Sequence, residues 1–154
     1  MRFELIVIGK TNEAYLAAGI ADFRKRLQRY CQVTIKIVKE KRGKIADKVR
    51  ILEEGRKLLA QTIDTSFVVA LDRTGRQLDS AALAEHIGIW RDSGKQVVTF
   101  IIGGPLGLST EVLKRAELVI SLSKLTFTHE MARLILFEQL YRGFSILSGS
   151  KYHK

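Results

Sequence analysis

Proline, cysteine, histidine and long apolar runs are all scarce in this chain. Cys31 is the only cysteine, so no disulfide can close within the chain, and a lone thiol fits a reducing compartment. It lies between Tyr30 and Gln32 at the start of a strand pattern, which reads as an inert thiol, with a nucleophile as the alternative. Pro105 is the only proline, and no Gly/Ser-rich or low-complexity tract marks a linker. No apolar run approaches the ~18 residues that span a bilayer. The opening Met1-Arg2-Phe3-Glu4-Leu5 carries an acid where a signal peptide is apolar, so no membrane partner and a cytoplasmic location are expected. His86, His129 and His153 fall on separate segments without ligand spacing, so no metal is expected.

What is present is a globular composition, 46% hydrophobic and 27% charged over 154 residues, which suits one domain with its own core. The net charge is +10, and it is unevenly spread. Residues 22–57 hold thirteen of the 26 lysines and arginines against five acids, so that segment alone carries +8. A concentrated basic face is the footprint of a polyanion binder, the alternative being a solvated charged surface. Arg24, Lys25, Arg26, Arg29, Lys41, Arg42 and Lys44 are the candidate nucleic-acid-binding residues. Such cations add affinity and orientation but read no sequence.

Apolar runs alternate with helical patterns. Phe3 to Ile8, Phe67 to Leu71, Val97 to Ile102 and Leu118 to Ile120 read as buried strands, and the alternating Val33 to Val38 as an edge or half-exposed strand. Leu16, Ile20, Phe23, Leu27 and Tyr30 mark one helix face. Asp47 to Gln61 is helical, with Val49, Leu52 and Leu59 pointing inward. Arg73-Thr74-Gly75-Arg76 reads as a turn. Ser80 caps a helix that stops at Gly94, Ser109 or Thr110 caps a short one, and the last runs from about His129 to Leu147. The order predicts an α/β fold: a mostly parallel sheet with helices on both faces. The last helix is apolar nearly all round, which predicts either a partner subunit on its far side, hence a two-fold homodimer, or a central helix in a monomer.

In such a sheet ligands bind at the carboxyl ends of the strands. Three loops meet there: Leu71-Asp72 onward, Gly103 to Gly107, and Ser121 to Thr128. Glycines let backbone approach a ligand closely, although Gly103-Gly104-Pro105 matches neither a dinucleotide fingerprint nor a Walker A loop. With the apolar side chains of Leu122 to Phe127, the loops suit a flat heterocycle read along its edge by backbone groups.

The glycine loop, Leu122-Ser123-Lys124-Leu125-Thr126-Phe127 and the Tyr152-His153 tail together resemble the RlmH family of SPOUT-class methyltransferases, which methylate N3 of a pseudouridine in 23S ribosomal RNA. Val7-Ile8-Gly9-Lys10, Lys41-Arg42-Gly43-Lys44 and Ala70-Leu71-Asp72 match too, so the resemblance runs along essentially the whole chain. It implies a C-terminal trefoil knot, S-adenosyl-L-methionine as methyl donor, 23S rRNA within the ribosome as partner, and an obligate dimer with the site at the subunit interface. Carried onto this sequence, the donor site resembles Leu71, Gly103, Leu122, Ser123, Lys124, Leu125, Thr126 and Phe127. One departure is Thr128, where family members carry proline; its hydroxyl can cap the helix that follows.

For the reaction, a cation near the base would stabilise the imidate that forms as N3 loses its proton. Arg142, read as one helical face along from the second loop, is the first candidate. Tyr152 and His153, from the partner subunit, are candidates for orienting the base or taking the proton, with His129 and Glu138 behind them and Asp72 a candidate contact to donor or RNA. Two other readings stay open: a SPOUT methyltransferase of another RNA such as tRNA, and a silent RNA- or ribosome-binding protein that keeps the fold.

Overall fold

The structure is a computed structural model, and it describes residues 1–40, 43–150 and 152. Ten elements follow in order: β1 (Arg2–Ile8), α1 (Ala14–Leu27), β2 (Gln32–Val38), α2 (Asp47–Ala60), β3 (Phe67–Gln77), α3 (Ser80–Asp92), β4 (Val97–Ile102), α4 (Thr110–Arg115), β5 (Leu118–Ser121) and α5 (His129–Leu147). The strands pair in the order β2-β1-β4-β3-β5, and every pairing is parallel. The central strands β1 and β4 are continuous apolar runs because both faces are covered. The alternating β2 is an edge, as its pattern predicts.

Two cores follow from the pleat. On one face Phe3, Leu5, Val7, Phe100 and Ile102 meet α1, α3 and α5. On the other, Ile6, Ile8, Val68 and Ile101 meet Leu58 of α2 and Val112 of α4. Phe3 anchors the first core: its ring lies 5.4 Å from Phe100, 5.7 Å from Phe144 and 6.5 Å from Trp90, so Phe3→Ala should cost about 3–5 kcal/mol.

Several expectations are corrected. Within one subunit α1 and α3 flank α5 while the sheet lies beneath, and this buries Leu136, Phe137, Leu140 and Phe144 but leaves Met131, Leu134, Ile135 and Tyr141 half-buried. On α2, Val49 and Leu52 are exposed, and the buried positions are Glu54, Gly55 and Leu58; Ser109 packs directly on Gly55 and sets that face inward. Asp79, not Ser80, caps α3, its carboxylate accepting from Ala82 N at 2.7 Å. Residues 73–76 are not a free turn: β3 continues to Gln77, with a register shift between Leu71 and Arg76 against the same Ile120 of β5.

The start of α5 is fixed twice. Thr128 caps it, Oγ1 accepting from Met131 N at 3.1 Å, as the sequence predicts. Glu130 then reaches across to the start of α1, where its carboxylate accepts from Asn12 N at 2.9 Å, Glu13 N at 3.1 Å and Asn12 Nδ2 at 3.3 Å. One helix thus supplies the anion that the N-terminus of another favours.

Candidate functional site

An all-parallel sheet brings every strand's carboxyl end to one edge. Since β3 lies between β4 and β5, and Leu71 is paired with Ile102 on one side and Ile120 on the other, Gly103 and Leu122 emerge on either side of Leu71. The three loops expected to form a ligand site leave the sheet from neighbouring strand ends. After β4 the chain closes a tight turn, with Gly107 N donating to Gly104 O at 3.0 Å. A Cβ at Gly103 would collide with the Gly107 carbonyl, so this turn admits only glycine there. After β5, Ser121 Oγ donates to Ser123 O at 3.0 Å and Leu125 N donates to Ser123 Oγ at 2.9 Å. Ser123 therefore sets the loop's shape, while Lys124, Leu125, Thr126 and Phe127 stand exposed, Leu125 at 74%. Exposed Leu and Phe side chains beside close-approaching backbone can take the two faces and the edge of a flat heterocycle. Asp72 Oδ1 is occupied locally, accepting from Thr74 N at 2.9 Å and Thr74 Oγ1 at 2.6 Å.

His129 opens α5 beside this loop, and burial together with the nearby Arg133 cation holds its imidazole below the usual range, hence neutral at pH 7. Arg133 was not singled out from the sequence. The available signal was a lone arginine inside the apolar stretch Met131 to Phe137. Its guanidinium is buried, Nη2 donating to Ile8 O at 2.6 Å and Nη1 to Thr11 Oγ1 at 3.0 Å.

Arg142 is not beside the loops of its own subunit. It lies thirteen residues beyond His129, about 20 Å along α5 at 1.5 Å per residue. The helix runs back across the sheet, for Glu130 meets Asn12 beyond the end of β1, whereas Phe144 meets Phe3 at its beginning. At that far end Arg142 has a defined setting. Its Nε and Nη2 both donate to Glu138 Oε1, at 2.9 and 2.6 Å, which holds the guanidinium above its ordinary range. Tyr152 packs over it, ring centroid 4.9 Å from the guanidinium carbon, and offers its hydroxyl to Glu138 Oε1 at 3.4 Å. Burial, then the Glu138 charge, raises the Tyr152 phenol, so at neutral pH it is a donor rather than a base. Arg142 and Tyr152 are thus brought together within one subunit; His153 lies outside the described residues.

The basic residues are arranged differently from the single face expected. Arg24, Lys25, Arg26 and Arg29 close α1 or follow it, on one side of the sheet, whereas Lys44 precedes α2 on the other. They flank the β2 edge from both sides. Lys41 and Arg42 lie outside the described residues. Arg26 is partly engaged, by Asp22 at 2.7 Å and by the rings of Phe23 and Tyr141. Burial pushes the Cys31 thiol up to about 12, so it is inert. Among the described residues no group of His, Cys, Asp and Glu could hold a metal ion, and no helix is long and apolar enough to cross a membrane.

Comparison with known proteins agrees with this geometry. Residues 1–153 match the family profile described as "Predicted SPOUT methyltransferase". A protein of Desulfotalea psychrophila named ribosomal RNA large subunit methyltransferase H is 46% identical over 154 residues, covering all of both chains. One of the same name from Clostridium kluyveri is 41% identical over 159 residues, again over the full length of both. Among solved structures, a probable methylase family protein from Haemophilus influenzae Rd KW20 superposes with a TM-score of 0.55 at 14% identity, over 99% of this chain and 70% of that one. The tRNA (m1G37) methyltransferase of Aquifex aeolicus does so with 0.54 at 15%, over 92% and 70%. The chain belongs to the SPOUT methyltransferase family, among the ribosomal RNA large subunit methyltransferase H proteins.

Proposed function

We propose that this protein is a cytoplasmic homodimer that transfers a methyl group from S-adenosyl-L-methionine to N3 of a pseudouridine in 23S rRNA of the assembled ribosome, with the knotted chain path of its family. The observation that carries the reading is the separation along α5. The donor loops and the Arg142–Tyr152 pair stand about 20 Å apart in one subunit, too far to act on one base. An antiparallel two-fold arrangement of α5 would bring the loops of one subunit against the Arg142–Tyr152 pair of the other. Tyr15 of α1, Ile89 of α3 and Leu147 at the end of α5 are large apolar side chains left exposed, and a subunit contact would cover such residues.

S-adenosyl-L-methionine supplies an electrophilic methyl on sulfonium. The close backbone approach at Gly103 and the exposed Leu125 and Phe127 suit its flat adenine, with Leu71, Leu122, Ser123, Lys124 and Thr126 around it. The base would have to be held with N3 toward that methyl, which is the positioning these residues would supply. Arg142, fixed by Glu138, stabilises the imidate that forms as the N3 proton leaves. Tyr152 donates a hydrogen bond to orient the base, and the neutral His129 is able to take the proton. The cations around the β2 edge bind rRNA backbone.

The test is transfer of labelled methyl to ribosomes, separated subunits, free 23S rRNA and tRNA, followed by mapping of the product. Label at N3 of a pseudouridine in the large subunit is expected. Label in tRNA alone, or no binding of S-adenosyl-L-methionine to the purified dimer, overturns the reading.

A further inference from the structure

Among the described residues, Arg133 leaves one polar atom without a partner. Its side chain is 2% exposed and both Nη atoms are engaged, but Nε is buried and unpaired. An orphaned buried donor is costly, and an acceptor that reaches it as the cleft side chains shift would relieve it. Arg133 also walls a cleft of about 410 Å³ between α1 and strands β1 and β2, within the usual range of ~300–1,000 Å³ for ligand sites.

The cleft exists because Ala17 and Ala21, one turn apart on α1, are too small to fill the space above the edge strand. Its floor is aliphatic, made by Leu5, Val7, Ile35 and Ile37, and Ile37 is 50% exposed. Among the described residues its charged lining is of one sign: Lys10, Arg24 and Arg133, with no carboxylate. Arg24 Nε donates to Val33 O at 3.3 Å, which directs its guanidinium along the β2 side. Outside, Lys25 and Arg29 on one side of the β2 edge and Lys44 on the other flank the same region.

We propose that this cleft binds one nucleotide of the RNA substrate, distinct from the base that is methylated. The base would lie against Leu5, Val7 and Ile35, with a ring carbonyl accepting from Arg133 Nε and the phosphate between Lys10 and Arg24. A flat apolar body, a carbonyl edge and an external anion are the features of a splayed nucleotide, and this is how proteins commonly read unstacked RNA. The identification rests on the RNA-directed reading above. The site itself rests on the orphaned Nε, the one-signed lining and the vacant space over the β2 edge.

The probe is uridine 5′-monophosphate, titrated into the ¹⁵N-labelled dimer, observing the Arg133 Nε–Hε resonance and the amides of Thr11 and Ala21. Saturable shifts at all three are expected. The double variant Ala17→Leu, Ala21→Leu fills the cleft from an exposed helix surface. It should weaken binding of the probe at least about tenfold and raise KM for the ribosomal substrate, while leaving S-adenosyl-L-methionine affinity unchanged. No shift at Arg133 Nε–Hε overturns the proposal, including where hydrogen exchange shows the cleft already covered by a second copy of the chain. Equal affinity for inorganic phosphate overturns the nucleotide assignment. Full methyl transfer with an unaltered KM in the filled variant overturns the inference and leaves the methyltransferase reading intact. Saturable probe binding by a protein that methylates no ribosomal RNA does the reverse.

Discussion

A single carboxylate oxygen, Glu138 Oε1, accepts from both Nε and Nη2 of Arg142 one helical turn later, and the same oxygen lies 3.4 Å from the Tyr152 hydroxyl. Glu138 also takes a short hydrogen bond from Gln139 Nε2, and Gln139 Oε1 accepts from Ser80 Oγ at 2.6 Å. The guanidinium is therefore anchored through α5 to the start of α3. In the proposed reaction, holding it in one orientation before the base arrives would let it act on charge that develops only in the transition state.

Arg142→Ala should lower kcat for methyl transfer by about 10²–10³, the loss typical when one preorganised donor to a developing anion is removed. Affinity for S-adenosyl-L-methionine, measured by calorimetry, should be unchanged, because the donor loops stand at the other end of α5. Arg142→Lys should restore little, since an ammonium cannot reproduce the planar fork that Glu138 holds. Glu138→Gln should give a smaller loss, in kcat rather than in donor binding.

Thr128→Ala removes the cap of α5 and should cost about 1 kcal/mol, read as a fall in Tm of roughly 2–4 °C. Because the same residue ends the loop from Ser121, donor affinity should fall as well. Unchanged affinity would mean that Ser123 alone holds the loop's shape.

Two buried carboxyls respond to pH in opposite senses. Burial raises Glu54, the neighbouring Glu40 charge adds to it, and Arg50 and Lys57 oppose it. A carboxyl raised on folding contributes stability below its unfolded pKa and loses that contribution as pH rises through the folded one. Glu54→Gln should therefore raise Tm at pH 8 and give no gain at pH 4. For Glu130, burial alone would raise the carboxyl, but hydrogen bonds from Glu13 and Asn12, with the Arg133 cation, hold it below the usual range. Its contribution is present above the unfolded pKa and is lost as pH falls through the folded one. Glu130→Gln should lower stability at pH 8 by about 1.5–3 kcal/mol and by less near pH 4. Thermal melts of both variants across that range provide the measurement.

Local and periodic features were legible in the sequence. The buried strands read as apolar runs, β2 as an alternating edge, and Thr128 as the cap of α5. What was not legible depends on which surfaces meet. On α2 the periodic apolar residues Val49 and Leu52 look inward in isolation, yet the face beside Ser109 buries Glu54 and Gly55 instead. Gly75 reads as a turn glycine, but it lies against the backbone of Ile120, where an added Cβ would come within 2.6 Å, and β3 resumes its pairing there. The long reach of α5 hid the largest error. Counting residues shows Arg142 on the helix that follows the Ser121 to Thr128 loop, while only the path of that helix across the sheet shows that the loop and Arg142 stand at opposite ends.

That separation can be tested by mixing two inactive proteins. Gly103→Val disrupts the glycine turn and should abolish donor binding, and Arg142→Ala should cut catalysis by about 10²–10³. If each site takes its loops from one subunit and its Arg142 from the other, a heterodimer of the two variants contains one intact site. Random exchange of equal amounts makes half the dimers mixed, so activity should recover to about a quarter of the wild-type level. If both groups act from the same subunit, every site in the mixture carries a lesion and no activity returns. Covalently joined dimers carrying one lesion per subunit give the same answer without exchange, at about half the wild-type rate per dimer. Inactivity in both formats would rule out the shared site and with it the role assigned to Arg142.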